Sequence, residues 1–240
     1  MGQLMVVVAL LIIGVIIFFT PIIQKGVAQN QKKNSSIEFE SLGYLYENEL
    51  ENNEDENIFE DLKNGILEHN RAVCNMEFIG ENAPVNNEVI FDTTPYGVDT
   101  DIFGYVSFEY TDTEGTIHKK EVVKKEEFPI YLRSSKTNLS VGAVPYENSA
   151  LPMGSEGLTV LYGRNKTAFT DNPKSKVKIG DTVEIKTLFG SHEYKVIQYR
   201  CASREAVCGT HFDMSLPNVI FVIGEENFCT YYFCELVKKD

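Results

Sequence analysis

The longest apolar segment of the chain lies near its beginning. Residues Leu4–Ile23 carry no charged side chain, and about twenty helical residues span about 30 Å, the thickness of a bilayer core. A cleaved signal peptide has an apolar run of only about 7–15 residues behind a basic segment. No Lys or Arg precedes this run, although Gly26-Val27-Ala28 resembles a cleavage site. We therefore predict an uncleaved transmembrane anchor over residues 1–24.

The segment that follows the apolar run is strongly acidic. Ten acidic residues and no Lys or Arg lie from Glu38 to Asp61. Charge runs of this kind usually form solvated segments whose charges repel one another. We predict an acidic linker over residues 25–57, and a docking site for a basic partner is the alternative.

Helical periodicity begins after the acidic segment. Apolar side chains recur at helical spacing from Ile58 to Cys74 and form one face. Residues 76–101 are rich in Asn, Pro, Gly and Asp, which is typical of a long irregular loop, and such loops are usually functional or mobile. We therefore expect residues 58–101 to form a helix followed by this loop.

From Ile102 onward the pattern changes to alternation and short apolar runs. Two runs flank the turn at residues 112–115 and predict a hairpin. Further strand candidates are rich in β-branched and aromatic residues and are separated by Gly, Pro, Asn and Ser; they are FPIYLR, LTVLYG, DTVEIKTLF, HEYKVIQYRC, NVIFVI and FCTYYFCELV. So many strands with little helix between them predict a mainly β domain, either a closed barrel or a sandwich.

Charge and cysteine usage exclude some classes of function. The chain has 22 Lys and Arg against 35 Asp and Glu, a formal net charge of −13, so nucleic-acid phosphates would repel it. Its five cysteines include no CxxC pair, so we expect no metal and no other cofactor. Cys229 and Cys234 share one predicted strand and lie about 16 Å apart, too far for a disulfide. Cys201 and Cys208 could bridge across a loop.

The chain shows no self-evident catalytic motif. It lacks a glycine-rich phosphate loop, a GxSxG elbow and an HExxH helix. Cys208 and His211 form the one close Cys/His pair, and a nucleophilic Cys needs a base within hydrogen-bond reach. They are therefore catalytic candidates, although such pairs more often meet across the fold than along the chain. We expect His69, His118 and His192 to lie at the surface.

Four segments in the β region follow one another in a known order. They are Phe128–Tyr131 (FPIY), Gly142–Gly154 (GAVPYENSALPMG), Leu158–Gly163 (LTVLYG) and Lys178–Asp181 (KIGD). The sequence resembles the sortase family, especially its pilus-building class C members, in which LPIYHG, a TSLPxGG segment, a strand ending in Gly-His and a GD turn occur in this order. The resemblance implies a sortase-like closed β-barrel of about eight strands over residues 102–240.

The resemblance also implies a chemistry. Sortases are membrane-anchored cysteine transpeptidases that cut a sorting motif near the C-terminal end of surface proteins and join it to the cell wall or to a pilin lysine. A Cys thiolate attacks the scissile carbonyl, a His serves the leaving and entering amines, and an Arg steadies the substrate or the oxyanion.

The family's location and its lid give two further expectations. Sortase barrels lie outside the cytoplasmic membrane of Gram-positive bacteria, which favours an outside location here. Lys25, Lys32 and Lys33 follow the apolar run and alone would favour the cytoplasm. Residues 76–101 occupy the place of the class C lid, and Asp92–Tyr96 has the acidic and aromatic residues of a lid plug, although a plain loop explains it equally well.

All three catalytic positions implied by the resemblance carry other residues. The expected Gly-His reads Gly163-Arg164, and the strand expected to end in Thr-Cys ends at Gly224. The Arg of the last strand should fall near Tyr231, but no Arg follows Arg204. Arg cannot exchange a proton near neutral pH. We therefore predict an inactive pseudosortase with a degenerate cleft at Arg164, Gly224 and Tyr231.

Three hypotheses for the function follow from these observations. The first is a non-catalytic, membrane-anchored protein that binds surface-protein or pilin segments, or a catalytic sortase, and assists assembly at the cell surface. The second is an active sortase-type cysteine transpeptidase with rearranged residues, in which Cys208 with His211, or Cys229, carries the chemistry. The third is a tethered β-barrel unrelated to sortases.

Overall fold

The structure is a computed structural model of the 240-residue chain. It describes residues 2–52, 57–74, 88–114, 120–146, 148–164, 167, 176–203, 213–224 and 228–237.

Among the described residues, two long helices precede the sheet in the chain, and a short third helix lies between two of its strands. Their bounds are α1, Gly2–Asn52; α2, Ile58–Cys74; and α3, Asn138–Val141, with a 3-10 turn at Thr94–Tyr96. The helix that the periodicity predicts over residues 58–74 is confirmed with the same bounds. Its apolar stripe, which includes Phe59, Leu62 and Ile66, is buried in the main hydrophobic core.

Within the described residues, eight strands form one curled sheet. The strands are β1, Ile102–Glu114; β2, Lys120–Tyr131; β3, Val144–Pro145; β4, Thr159–Arg164; β5, Thr182–Thr187; β6, Gly190–Ser203; β7, Val219–Gly224; and β8, Phe228–Leu236. Their order in the sheet is β2-β1-β5-β6-β8-β7-β4-β3. The β4–β7 pair is parallel and the other pairs of neighbours are antiparallel.

The two ends of this sheet approach each other without a continuous ladder. The contact is a single parallel bridge between Ile130 and Ala143, in which the Tyr131 amide donates to the Ala143 carbonyl oxygen at 2.9 Å. The sheet is therefore a curled half-barrel rather than the closed barrel that the resemblance implied. The physical reason is the length of β3, because a strand of two residues cannot form a ladder with both of its neighbours.

The strands near the end of the chain are buried on both faces. In β7, Phe221 and Ile223 belong to the core inside the sheet, whereas Ile220 and Val222 belong to a second cluster on the outer face. This second cluster includes Phe39 of α1 and side chains of α3. Burial on both faces explains why β7 reads as a continuous apolar run instead of an alternating one.

The C-terminal half of α1 packs on the outer face of the half-barrel. The Phe39 ring meets the Tyr105 ring edge-on with 5.3 Å between centroids, and the Ser35 and Tyr131 hydroxyls are hydrogen-bonded at 2.8 Å. The segment predicted as an acidic linker, residues 25–57, is therefore helical up to Asn52. The apolar pattern missed this helix because its buried face has few apolar residues and includes the hydroxyl of Ser35.

The predicted anchor falls on the first half of α1. Before Gly26 the structure describes the α1 backbone but, apart from Thr20, no side chains. Among the described residues, no helix has the length and apolar character needed to cross a membrane.

The packing of α1 gives a testable prediction. We expect Phe39→Ala to lower the free energy of unfolding by about 3 kcal/mol, because it removes a buried ring from the contact between α1 and β1. Ile37→Ala, on the exposed side of the same helix, should change it by less than about 0.5 kcal/mol. Urea unfolding followed by circular dichroism measures both. Equal effects of the two substitutions would contradict the packing described here.

Candidate functional site

Three strand ends meet at one end of the half-barrel. Because β4 and β7 are parallel, they end side by side, with Arg164 opposite Gly224. Strand β8 then runs back along β7, with Cys229 opposite Gly224 and Tyr231 opposite Val222. Residues two apart in a strand point to the same face, so the register brings Arg164, Gly224, Cys229 and Tyr231 to one face of the sheet.

The Cys229 thiol fills the space beside Gly224. A methyl group built on Gly224 would overlap the Cys229 Sγ atom and would lie 3.2 Å from its Cβ atom. Cys229 is only 1% exposed. A sulfur atom therefore stands where a side chain of residue 224 would begin, but it comes from the neighbouring strand.

Cys229 belongs to a buried cluster that includes the aromatic residues Tyr146, Tyr162 and Tyr231. The Tyr162 hydroxyl donates to the Gly224 carbonyl oxygen at 3.4 Å. The Tyr162 ring meets the Tyr146 ring edge-on with 6.0 Å between centroids. Both tyrosines are buried, as is Tyr231, whereas Arg164 is exposed at the rim. The interior of the site is therefore apolar, with one cationic side chain at its mouth.

The two described histidines lie at the opposite end of the sheet. The His69 Nε2 atom lies 3.2 Å from the Ser149 carbonyl oxygen, and burial lowers the pKa of this imidazole. His69 was expected at the surface, but it is partly buried because α2 packs on the segment around Ser149. His192 lies near the start of β6, where its ring packs against Gly154. The strand register places His192 at the end of β6 remote from Gly224, and His69 lies beside the segment that precedes β4.

The remaining candidates from the sequence are the other cysteines and histidines. Cys208 and His211, and also His118, lie outside the described residues. Cys201 is an exposed free thiol on β6, and Cys234 is buried on the inner face, where burial raises the pKa of its thiol. Cys229 and Cys234 therefore lie on opposite faces of the sheet. Within the part of the chain that the structure describes, no group of three metal-ligating side chains occurs.

The described part of the lid-like segment packs far from this site. Tyr96 of the 3-10 turn lies directly over Gly65 of α2, where it leaves no room for a Cβ atom, and the Tyr96 ring stacks on Phe91 with 5.9 Å between centroids. The Asp92 carboxylate accepts hydrogen bonds from the amide and the hydroxyl of Thr94, which lowers its pKa. These contacts hold residues 91–96 against α2 rather than over Gly224.

Solved structures of known function share this architecture. Sortase C1 of Streptococcus agalactiae superposes with a TM-score of 0.58 at 15% identity, over 78% of this chain and 92% of that chain. Sortase A from Corynebacterium diphtheriae gives a TM-score of 0.58 at 18% identity, over 89% and 96% of the two chains. The Group B Streptococcus pilus island 1 sortase C2 gives 0.55 at 15% identity, over 77% and 100%. The chain has a sortase-like fold.

Sequence comparison adds nothing to this assignment. No protein-family model and no curated protein matches the chain. Identities of 15–18% establish the sortase-like fold alone, and fold by itself does not fix activity. The function has to be argued from the side chains at the strand ends.

The position of Cys229 is the feature of the sortase-like domain that the sequence prediction missed. The sequence pattern predicts Cys229 within the last strand but does not predict that it lies opposite Gly224. Only three residues separate β7 from β8, and a connection this short fixes the register of an antiparallel pair to within one or two residues. The length of this connection was the signal in the sequence from which the position of Cys229 opposite Gly224 could have been predicted.

The overlap between Gly224 and Cys229 gives a prediction. We expect Gly224→Ala to destabilise the fold by about 1–3 kcal/mol, because the added methyl group overlaps the Cys229 sulfur. In the Cys229→Ala background the same substitution should cost at least about 1 kcal/mol less, and urea unfolding of all four members of the cycle measures this coupling. Gly43→Ala on α1 is the control, since nothing lies within 4 Å of Gly43. Additive effects of the two substitutions would show that the methyl group added at residue 224 and the Cys229 sulfur do not compete for the same space.

Proposed function

We propose that this protein is a membrane-anchored, sortase-related protein without transpeptidase activity, which binds cell-surface proteins and assists their assembly. The proposal rests on the identity of the residues that lie at the ends of the strands. Arg164 stands at the position implied for the base and Gly224 at the position implied for the nucleophile, with buried Cys229 filling the space next to it.

The chemistry of these residues argues against transpeptidation. Acyl transfer needs an accessible thiolate and a group that takes and returns a proton. The guanidinium of Arg164 holds its proton at all relevant pH values, and Gly224 has no side chain. Among the described residues, Cys229 has its thiol beside Gly224, but it is buried instead of facing solvent.

The kind of partner that we propose is inferred from the similar solved structures. They include sortase C1 of Streptococcus agalactiae and the Group B Streptococcus pilus island 1 sortase C2. We propose that the strand-end face binds segments of pilins or other surface proteins, or that the domain binds a catalytic sortase. The exposed guanidinium of Arg164 at the rim supports a partner that presents a carboxylate or backbone carbonyl groups there.

We also propose a single-pass anchor with the barrel outside the cytoplasm. The apolar run Leu4–Ile23 supports it, and α1 continues without a break from this run to Asn52. We expect the full chain to stay in the membrane after alkaline carbonate extraction of a Gram-positive host, and the barrel to be cut when protoplasts are treated with protease. A variant that begins at Gln24 should be recovered in the soluble fraction. A full chain released by carbonate, or protected from external protease, would contradict this topology.

The test of inactivity is a turnover assay on the full chain. A fluorogenic peptide carrying the sorting motif of surface proteins serves as substrate, with hydroxylamine as the acceptor amine. Sortase A from Corynebacterium diphtheriae is the positive control. We expect no cleavage above the rate without protein and no thioester intermediate in the mass spectrum. Peptide binding measured by fluorescence anisotropy should persist, and it should weaken in Arg164→Ala.

One observation favours an active enzyme as the second candidate. The Cys229 sulfur lies beside Gly224, and Arg164 is on the adjacent strand end. In that case the Cys229 thiolate would attack the scissile carbonyl, form a thioester and release the amine, which takes up a proton. The same assay separates the two candidates, because turnover that is abolished by Cys229→Ala but kept by Cys201→Ala would establish the enzyme and reject the proposal above.

A further inference from the structure

Helix α1 carries an apolar stripe on the face that points away from the half-barrel. Ile37, Tyr44 and Leu45 are 53%, 66% and 54% exposed. The side chains that pack on the barrel, among them Ser35 and Phe39, lie on the opposite face of the same helix. Exposed aromatic and aliphatic side chains that recur on one helix face are typical of an interaction surface.

The stripe has the geometry of a site for another helix. Ile37, Glu40, Ser41 and Tyr44 are spaced i, i+3, i+4 and i+7, and with Leu45 they line an open hollow of about 430 Å³. Four residues at this spacing form the hole that receives one side chain of a neighbouring helix in knobs-into-holes packing. The hollow therefore fits a side chain from a helix laid along α1.

The charges along the stripe specify the partner. Glu40, Glu47 and Glu51 are exposed and lie on the same face as Ile37 and Tyr44. Among the described residues, none of these three carboxylates forms an ion pair. They belong to the segment in which ten acidic residues occur without a Lys or Arg. A helix that covers the stripe would need cationic side chains beside its apolar ones.

The negative charge of the stripe also argues against two other partners for it, a second copy of the chain and a bilayer surface. A second copy of the chain would bring a second set of these carboxylates against the first, which is unfavourable at an interface. An anionic bilayer surface would repel them for the same reason. At 1.5 Å per helical residue, Tyr44 lies about 30 Å beyond Ile23, so the proposed anchor holds the stripe clear of the membrane.

We propose that the outer face of α1, from Ile37 to Glu51, is a docking site for a basic amphipathic helix of another protein. The apolar hollow takes an aliphatic side chain of that helix, and Lys or Arg residues on either side of it pair with Glu40, Glu47 and Glu51. This interaction surface is separate from the strand ends around Gly224 and does not depend on what those strand ends bind.

The test uses a designed helical peptide of about three heptads, with Leu at positions a and d and Lys at positions e and g. Two matched peptides carry Glu in place of Lys, or Ser in place of Leu. Fluorescence anisotropy measures their binding to the full chain in a non-ionic detergent, after binding to empty micelles is subtracted. We expect the Leu/Lys peptide to bind, with weaker binding at high salt, and each matched peptide to bind at least about tenfold more weakly.

Variants of the chain locate the site. Ile37→Ser with Tyr44→Ser should weaken binding of the Leu/Lys peptide by about tenfold or more, because it removes the apolar anchors. Gln at residues 40, 47 and 51 together should weaken it by about three- to tenfold. The matched control, Gln at the exposed Glu109, Glu121 and Glu235, changes the net charge equally but leaves the stripe intact.

The outcomes decide the proposal. Losses in the two stripe variants, with none in the control, would support it. No binding of the Leu/Lys peptide, equal losses in the stripe and control variants, or unchanged binding in both stripe variants would overturn it. Concentration-dependent dimerisation abolished by Tyr44→Ser would overturn it as well, since the stripe would then bind a second copy.

Discussion

The structure of the candidate site depends on the pairing of β7 with two neighbours that run in different directions. Parallel pairing with β4 brings Arg164 beside Gly224, and antiparallel pairing with β8 brings Cys229 to the other side of the same glycine. Only a residue without a side chain fits between them while the sulfur keeps its place. Gly224 and Cys229 therefore form one packing unit.

This packing unit changes what the strand ends can do. The Cys229 thiol is buried in the same apolar cluster as Tyr146, Tyr162 and Tyr231, whereas a catalytic thiol needs solvent access and a proton acceptor. Arg164 at the rim and the stripe of apolar and acidic residues on α1 are exposed instead. We propose that both bind partners, and α1 joins the half-barrel to the apolar run that we propose as its anchor.

The sequence predicted most of the fold, because the relevant signals are local. The periodicity of α2 gave its bounds, and the runs of β-branched and aromatic residues gave the strands. The ordered motifs led to the proposal of Arg164, Gly224 and Tyr231 as site positions, and the strand register places these three residues on one face of the sheet. Two features were missed because they depend on contacts between distant segments: the packing of α1, which uses few apolar residues, and the position of Cys229, which depends on strand register.

The most direct measurement is an experimental structure at a resolution that fixes the Cys229 side chain. We predict that its Sγ atom is buried in van der Waals contact with Gly224, with no imidazole within hydrogen-bond reach. A Cys229 side chain that turns into an open cleft and hydrogen-bonds to an imidazole, from His211 or any other histidine, would contradict it.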